Sequence, residues 1–186
     1  MQHQLDIYIQ GCLKNDPVSQ EALYKYCFAQ FMKICLGYHA NNDDAVASFN
    51  KAMHQVFTKI HQYRSEGPVM GWIRKTMVNT CLNDIRGKAK FTAKELNDAE
   101  LNRFHAEPEI YSGLEVKQVL QLVQRLPSAT RLVFNLFIME GYTHEQVSRQ
   151  LGISTGTSKW HLNHARELLK KEMAQLNKHE NSLYAK

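Results

Sequence analysis

Tyr142 to Lys171, YTHEQVSRQLGISTGTSKWHLNHARELLKK, reads as two helices joined by a turn too tight for anything else. Thr143 stands at an N-cap, Gln146 three residues on completes a capping box, and Tyr142 and Val147 occupy the positions of a hydrophobic staple. Val147 and Leu151 face inward at i and i+4, and Gly152 supplies the left-handed residue that ends the helix. Ile153 fills the corner and Ser154 caps the second helix. Along it Leu162, Ala165, Leu169 and Met173 make one apolar stripe, while Lys159, Trp160, His161, Asn163 and His164 point elsewhere. Two helices around a glycine turn form a helix-turn-helix unit, whose second helix fits the major groove of DNA. The bland alternative is an ordinary helical hairpin.

A chain of 186 residues and 21.5 kDa, 44% hydrophobic with mean hydropathy −0.45, holds one globular domain or two small ones. The densest apolar run, Phe134 to Met139, falls far short of the roughly 20 residues of a membrane span. The N-terminus MQHQLDIY lacks the basic-then-apolar pattern of an export signal, so the expected location is cytoplasmic and no membrane partner is expected. Cys12, Cys27, Cys35 and Cys81 lie far apart with no CxxC pair, which reads as small buried hydrophobes rather than a disulfide or zinc framework. The formal net charge is +5, consistent with a polyanionic partner, and its distribution says more. Between 64 and 90, Arg64, Arg74, Lys75, Arg86, Lys88 and Lys90 outnumber Glu66 and Asp84; between 91 and 115, six acids outnumber Lys94 and Arg103. Two basic bodies flank an acidic connector.

Leu5 to Asn15 forms a short helix that Asp16-Pro17 stops, and a second helix runs from about Val18 to Tyr38 with Leu23, Tyr26, Cys27, Phe31, Ile34, Cys35 and Tyr38 inward. After the Asn41-Asn42 turn, Asp43 or Asp44 caps a third helix whose inward set is Ala45, Phe49, Ala52, Met53, Val56, Phe57 and Ile60. Pro68 takes a first helical position, and a fourth helix runs to about Arg86, burying Trp72, Ile73, Met77, Cys81 and Ile85 beneath a polar, basic opposite face. Residues 91–113 lose periodicity and read as a linker, with a helical segment around Ala93 to Phe104. Leu114 to Leu126 is helical with Val116, Val119, Leu120 and Val123 inward. A new cap at Ser128 begins a helix carrying Leu132, Val133, Leu136 and Phe137 to the Gly141 stop, and beyond Met173 the tail is polar and frayed. Strand signals are absent, so the fold expected is all-α: two small helical domains, 1–90 and 114–175, the linker between them, and a polar tail, 176–186.

The combination resembles the bacterial sigma factors of the extracytoplasmic-function group. Two runs carry the resemblance: GWIRKTMVNTCLNDIR, Gly71 to Arg86, and RLVFNLFIMEGYTHEQVSRQLGIS, Arg131 to Ser154, in that order across a linker. It implies an initiation factor that binds core RNA polymerase and directs it to promoter DNA. Residues 1–90 would then dock on the polymerase and melt the start-proximal element, and residues 114–175 would read the upstream element as duplex. It implies no catalysis, no cofactor and no metal, and it admits an anti-sigma factor or a recruiting factor as a further partner. The residues suit both tasks. Tyr63, Arg64, Arg74, Lys75, Asn79, Asn83, Arg86 and Lys88 offer aromatic, amide and cationic groups to a melted strand, although a basic helix face is more often simply solvated. Trp72 is expected in the core. Thr155, Thr157, Lys159, Trp160, His161 and His164 are the candidate duplex readers, with Lys159 and Arg166 as phosphate contacts. His161 and His164 form an HxxH pair with no third ligand at a metal-site spacing.

The resemblance has departures. On the docking helix the family carries a run of acids and a Gln-acid pair where this chain has Val46, Ala47, Asn50 and Lys51, leaving Asn50, Lys51 and His54 as the expected docking face with the opposite sign. The family commonly has arginines at the positions of His161 and His164, and a small residue and Phe where Pro68-Val69 stand. Together they suggest either weak promoter choice offset by a recruiting partner or coevolution with an altered polymerase and promoter. The alternative function is a stand-alone helix-turn-helix transcriptional regulator with residues 1–90 serving as a partner-binding or dimerisation domain. An enzyme has no support, since no Gly-rich phosphate loop, nucleophile elbow or paired-ligand motif is present.

Overall fold

A proline that can begin a helix but not continue one separates the first two elements. In the computed structural model, which describes residues 2–63, 68–88 and 114–183 with side chains over 3–63, 68–86 and 118–175, α1 spans Gln2–Leu13 and α2 spans Pro17–Tyr38. Asp16 is the N-cap of α2, its carboxylate accepting from Ser19 N at 2.9 Å, and Pro17 opens the first turn. α3 covers Asn42–Lys59, and its cap is Asn41 rather than the expected Asp43 or Asp44: Asn41 Oδ1 accepts from Asp44 N at 2.8 Å. An amide at the cap leaves both acids in the first turn, where they face the positive end of the helix dipole. A 3-10 turn, Ile60–Gln62, follows, and α4 runs Val69–Lys88. Pro68 sits just outside α4, its carbonyl accepting from Gly71 N and Trp72 N, so it is a cap and not the first helical residue.

The chain divides into two compact units, Met1–Lys90 and Phe91–Lys186. In the first, α3 packs against α2 and α4, and α1 against α2. Leu23, Cys27, Phe49, Met53, Val56, Ile73 and Met77 are all buried, as their periodicity requires. Tyr26, Phe57, Trp72 and Ile85 are only half-buried, whereas Val78 and Leu82 are fully buried. α4 is flanked by both α2 and α3, which covers more of it than a one-sided stripe and leaves Trp72 at the rim, its ring 6.0 Å from that of Tyr63. All four cysteines are free and buried, and burial pushes the Cys12 thiol up to about 11 and that of Cys27 to about 12.

In the second unit α5 covers Leu114–Gln124, α6 covers Ser128–Phe134 and widens into a π turn over Asn135–Met139, α7 covers His144–Leu151, and α8 covers Thr155–Leu183. Leu120, Leu122, Val123 and Leu126 are buried, while Val119, expected inward, is 52% exposed; the covered face of α5 is rotated from the one its periodicity suggests. The side chain of Val116 lies outside the described residues. Pro127, not Ser128, occupies the cap of α6 and makes no side-chain cap bond. Arg131 compensates at this corner. Its buried guanidinium donates from Nη1 to Gln124 O at 2.7 Å, placing a cation on the C-terminal end of α5, and burial lowers its pKa to about 10. Gly141, with φ +71°, ends the π turn.

The tail does not fray at Met173: α8 is helical to Leu183. At 29 residues it outruns its partners, α6 of 7 residues and α7 of 8, so Leu169 is half-buried and Met173 is 54% exposed instead of completing the stripe. The linker and the helix expected at Ala93 to Phe104 lie outside the described residues. Among the described residues there is no strand, and no helix is long and apolar enough to cross a membrane.

Candidate nucleic-acid interface

Between α7 and α8 the chain turns on local bonds. Thr143 Oγ1 accepts from Gln146 N at 3.3 Å while Gln146 Oε1 accepts from Thr143 N at 2.8 Å, a complete capping box. Gly152 takes φ +69° and donates to Ser148 O at 2.9 Å, and Ser148 Oγ donates to Ile153 O to close the corner. Ser154 Oγ then accepts from Thr157 N at 2.9 Å and lies 2.9 Å from Thr157 Oγ1. Thr157, a candidate reader, is therefore half-buried and engaged in the cap, while Thr155 is exposed.

Polar links that periodicity did not reveal orient α8. His144 stacks on Phe137 with centroids 4.4 Å apart, and its Nδ1 lies 2.9 Å from the hydroxyl of Ser158, which is fully buried. His161 is the main correction. Only 3% exposed, it faces α6, with Nδ1 3.0 Å from Thr130 Oγ1. It cannot reach a base edge. Burial first, then the charge of His164, lowers its pKa. At 100° per residue, His161 falls on the flank that α6 covers, a placement a four-residue apolar stripe does not resolve.

The outward face of α8 holds Thr155, Gly156, Lys159, Trp160, Asn163 and Arg166, all exposed. Lys159 and Arg166 share one flank, as phosphate contacts would. Asn163, which sequence reading passed over, lies between them and Trp160, where an amide could meet the adenine edge. Trp160 is 53% exposed and stacks on His164, centroids 5.0 Å apart and planes 18° apart. Opposite this face, Arg125 Nη1 binds Glu172 Oε2 at 3.1 Å, tying the end of α5 to α8.

In the first unit the polar stripe of α4 is continuous. Lys75, Asn79, Asn83 and Arg86 follow steps of four, four and three; Lys75, Asn83 and Arg86 are exposed, and Asn79 and Arg74 half-buried. Tyr63 is half-buried at the end of the 3-10 turn, whereas Arg64 and the side chain of Lys88 lie outside the described residues. Asn50, Lys51 and His54 are all exposed on α3, but two of them are engaged. Asn50 Oδ1 accepts from Tyr24 Oη at 2.7 Å, and Lys51 Nζ pairs with Asp84 of α4. Burial pushes the Asp84 carboxyl up, but hydrogen bonds from Lys51 and Ser48 and the charge of Lys51 outweigh it and hold it below the usual range. Ser48 Oγ donates to Asp84 Oδ2 at 2.6 Å and lies 2.7 Å from Nε2 of the buried His39. The lysine that departs from the family pattern is thus neutralised across α3 and α4.

The family model described as sigma-70, region 4 matches residues 117–169, the span from α5 into α8. The extracytoplasmic-function RNA polymerase sigma factor SigM of Mycobacterium tuberculosis, in strains H37Rv and Erdman, is 26% identical over 137 residues, 73% of this chain and 67% of that protein. That alignment is longer than the second unit and so reaches into the first. Among solved structures, the sigma factor RpoE in its complex with the anti-sigma factor NepR, from Bartonella quintana, superposes with a TM-score of 0.50 over 80% of this chain and 93% of that one, at 14% identity, a likeness of fold.

Proposed function

We infer that this chain is an RNA polymerase sigma factor of the extracytoplasmic-function group, which binds core RNA polymerase and carries it to promoter DNA. The observation that carries the reading is one helix-turn-helix, complete in its caps and turn, inside a region-4 match, together with a relative whose alignment extends into the other unit. A stand-alone regulator would need only the second unit.

In this reading α8 enters the major groove of the upstream element. Lys159 and Arg166 hold phosphates, and Thr155 and Trp160 face base edges, with His164 stacked against Trp160. The α4 stripe, Arg74, Lys75, Asn79, Asn83 and Arg86 with Tyr63 beside it, takes the unpaired strand: cations along the backbone, amides and an aromatic ring for the bases. The α3 surface at Asn50, Lys51 and His54 docks on the polymerase, with Lys51 presented as one half of an ion pair. Nothing in this division of labour needs a bond to be made or broken, so the protein acts by binding, in the cytoplasm. An anti-sigma factor is a further partner the reading admits. With His161 withdrawn, a single family phosphate contact is missing from the exposed face, which weakens the case for an obligatory recruiting factor.

Run-off transcription with core polymerase, with and without the chain, tests the reading. Start-site-specific transcripts and comigration with core polymerase on a sizing column are expected. A chain that shifts duplex DNA by itself and does not comigrate is a regulator.

A further inference from the structure

Resting on the promoter reading above, we propose that Trp160 is a specificity determinant that selects a thymine in the upstream duplex, packing the base's 5-methyl group against the open face of its indole in the gap over Gly156. Side chains on a helix lean toward its N-terminus, over the preceding turn. His164 accordingly lies on Trp160, planes 18° apart, and His161 meets the indole edge-on at 77°. One turn before Trp160, which is 53% exposed, lies Gly156. A Cβ built there would meet, among the described residues, only Ser154 Oγ at 3.5 Å, so the surface one turn before the indole is clear. The result is an apolar slot, braced behind by an imidazole and open in front, at the N-terminal end of the helix that enters the groove.

The chemistry of the slot chooses the base. In the major groove guanine, cytosine and adenine offer hydrogen-bonding groups alone, which an indole face cannot satisfy, and thymine alone offers a methyl group. His164 acts as a positioning residue: stacked against the indole, it removes the rotamer freedom that would otherwise be lost on binding. Lys159, on the flank, contributes affinity that is independent of sequence.

The test uses the full chain with core polymerase. Duplexes randomised in the upstream region are selected by the wild-type holoenzyme, and in the winning duplex each thymine is replaced in turn by deoxyuridine, which lacks only the methyl group. One replacement should weaken binding about fourfold, the value of one buried methyl. Trp160→Ala should bind the thymine and deoxyuridine duplexes equally, and His164→Ala should retain part of the difference. Lys159→Ala should weaken binding to both alike. The proposal fails if every replacement is neutral for the wild type, or if the penalty persists in Trp160→Ala. If the wild-type holoenzyme enriches no upstream sequence at all, the promoter reading itself fails, and the proposal with it.

Discussion

His161→Arg separates what the family pattern implies from what the structure requires. By the pattern, an arginine there restores a phosphate contact and steepens the salt dependence of promoter binding by about 0.9 in logarithmic slope. The structure gives the opposite sign. His161 is 3% exposed and its Nδ1 lies 3.0 Å from Thr130 Oγ1. Arginine in that space leaves the Thr130 hydroxyl without its partner, about 1–3 kcal/mol, and forces a longer side chain into a filled site, about 1–3 kcal/mol. A loss of about 3 kcal/mol follows before any cost of burying the guanidinium is added. For a domain of this size each kcal/mol moves the melting temperature by about 4–8 °C, so calorimetry of the full chain should show the transition of the second unit lowered by roughly 12–24 °C. His164→Arg, at a half-buried outward position, should leave that transition in place and steepen the salt slope. A His161→Arg protein that melts like the wild type and binds promoter DNA more steeply with salt would show that the side chain faces the groove, and would refute the reasoning.

The same residue makes the second unit sensitive to acid. Its folded pKa is depressed by burial, so the unfolded chain binds more protons there; its contribution is intact above the ordinary histidine value, about 6.5, and is lost as pH falls through the lowered folded value. Urea midpoints taken between about pH 7.5 and pH 5 should fall for the wild type and flatten for His161→Asn, and equal slopes would remove the assignment. Asp84→Ala removes the carboxylate that accepts from Ser48 and should cost about 2 kcal/mol in urea unfolding of the first unit, against under about 1 kcal/mol for Lys51→Ala, whose own side chain is 57% exposed. Arg74→Ala combined with Lys75→Ala should reduce permanganate reactivity at the start site while polymerase binding, measured by comigration, is retained; unchanged reactivity would take the α4 stripe out of melting. Thr143→Ala opens the capping box and should destabilise the second unit by about 1 kcal/mol, readable as a lower calorimetric midpoint.

Much of this protein was legible in the chain because its signals are local. Capping boxes, prolines at helix starts and left-handed glycines act over three or four residues, so Thr143 with Gln146, Asp16 with Pro17, and Gly152 could be placed without knowing what surrounds them. The three-and-four periodicity of α2 and α3 likewise identified Leu23, Cys27, Phe49, Met53 and Val56 as core, since one wide apolar face has one way to be buried. The sigma-factor resemblance rested on the same kind of signal, contiguous runs in a set order.

What surrounds a helix is decided at long range, and there tertiary structure had the last word. Whether His161 faces DNA or the core depends on Thr130, 31 residues earlier, and on α6 covering that flank. Whether Lys51 is a free cation depends on Asp84, 33 residues later. Val119 and Trp72 look like core from their own helices but lie where no neighbour closes over them completely. Polar residues are hard to assign from sequence because a histidine or lysine carries the same chemistry whether it meets water, a phosphate or a buried hydroxyl; only the neighbouring helix selects among them, through the cost of leaving a buried polar group unpaired.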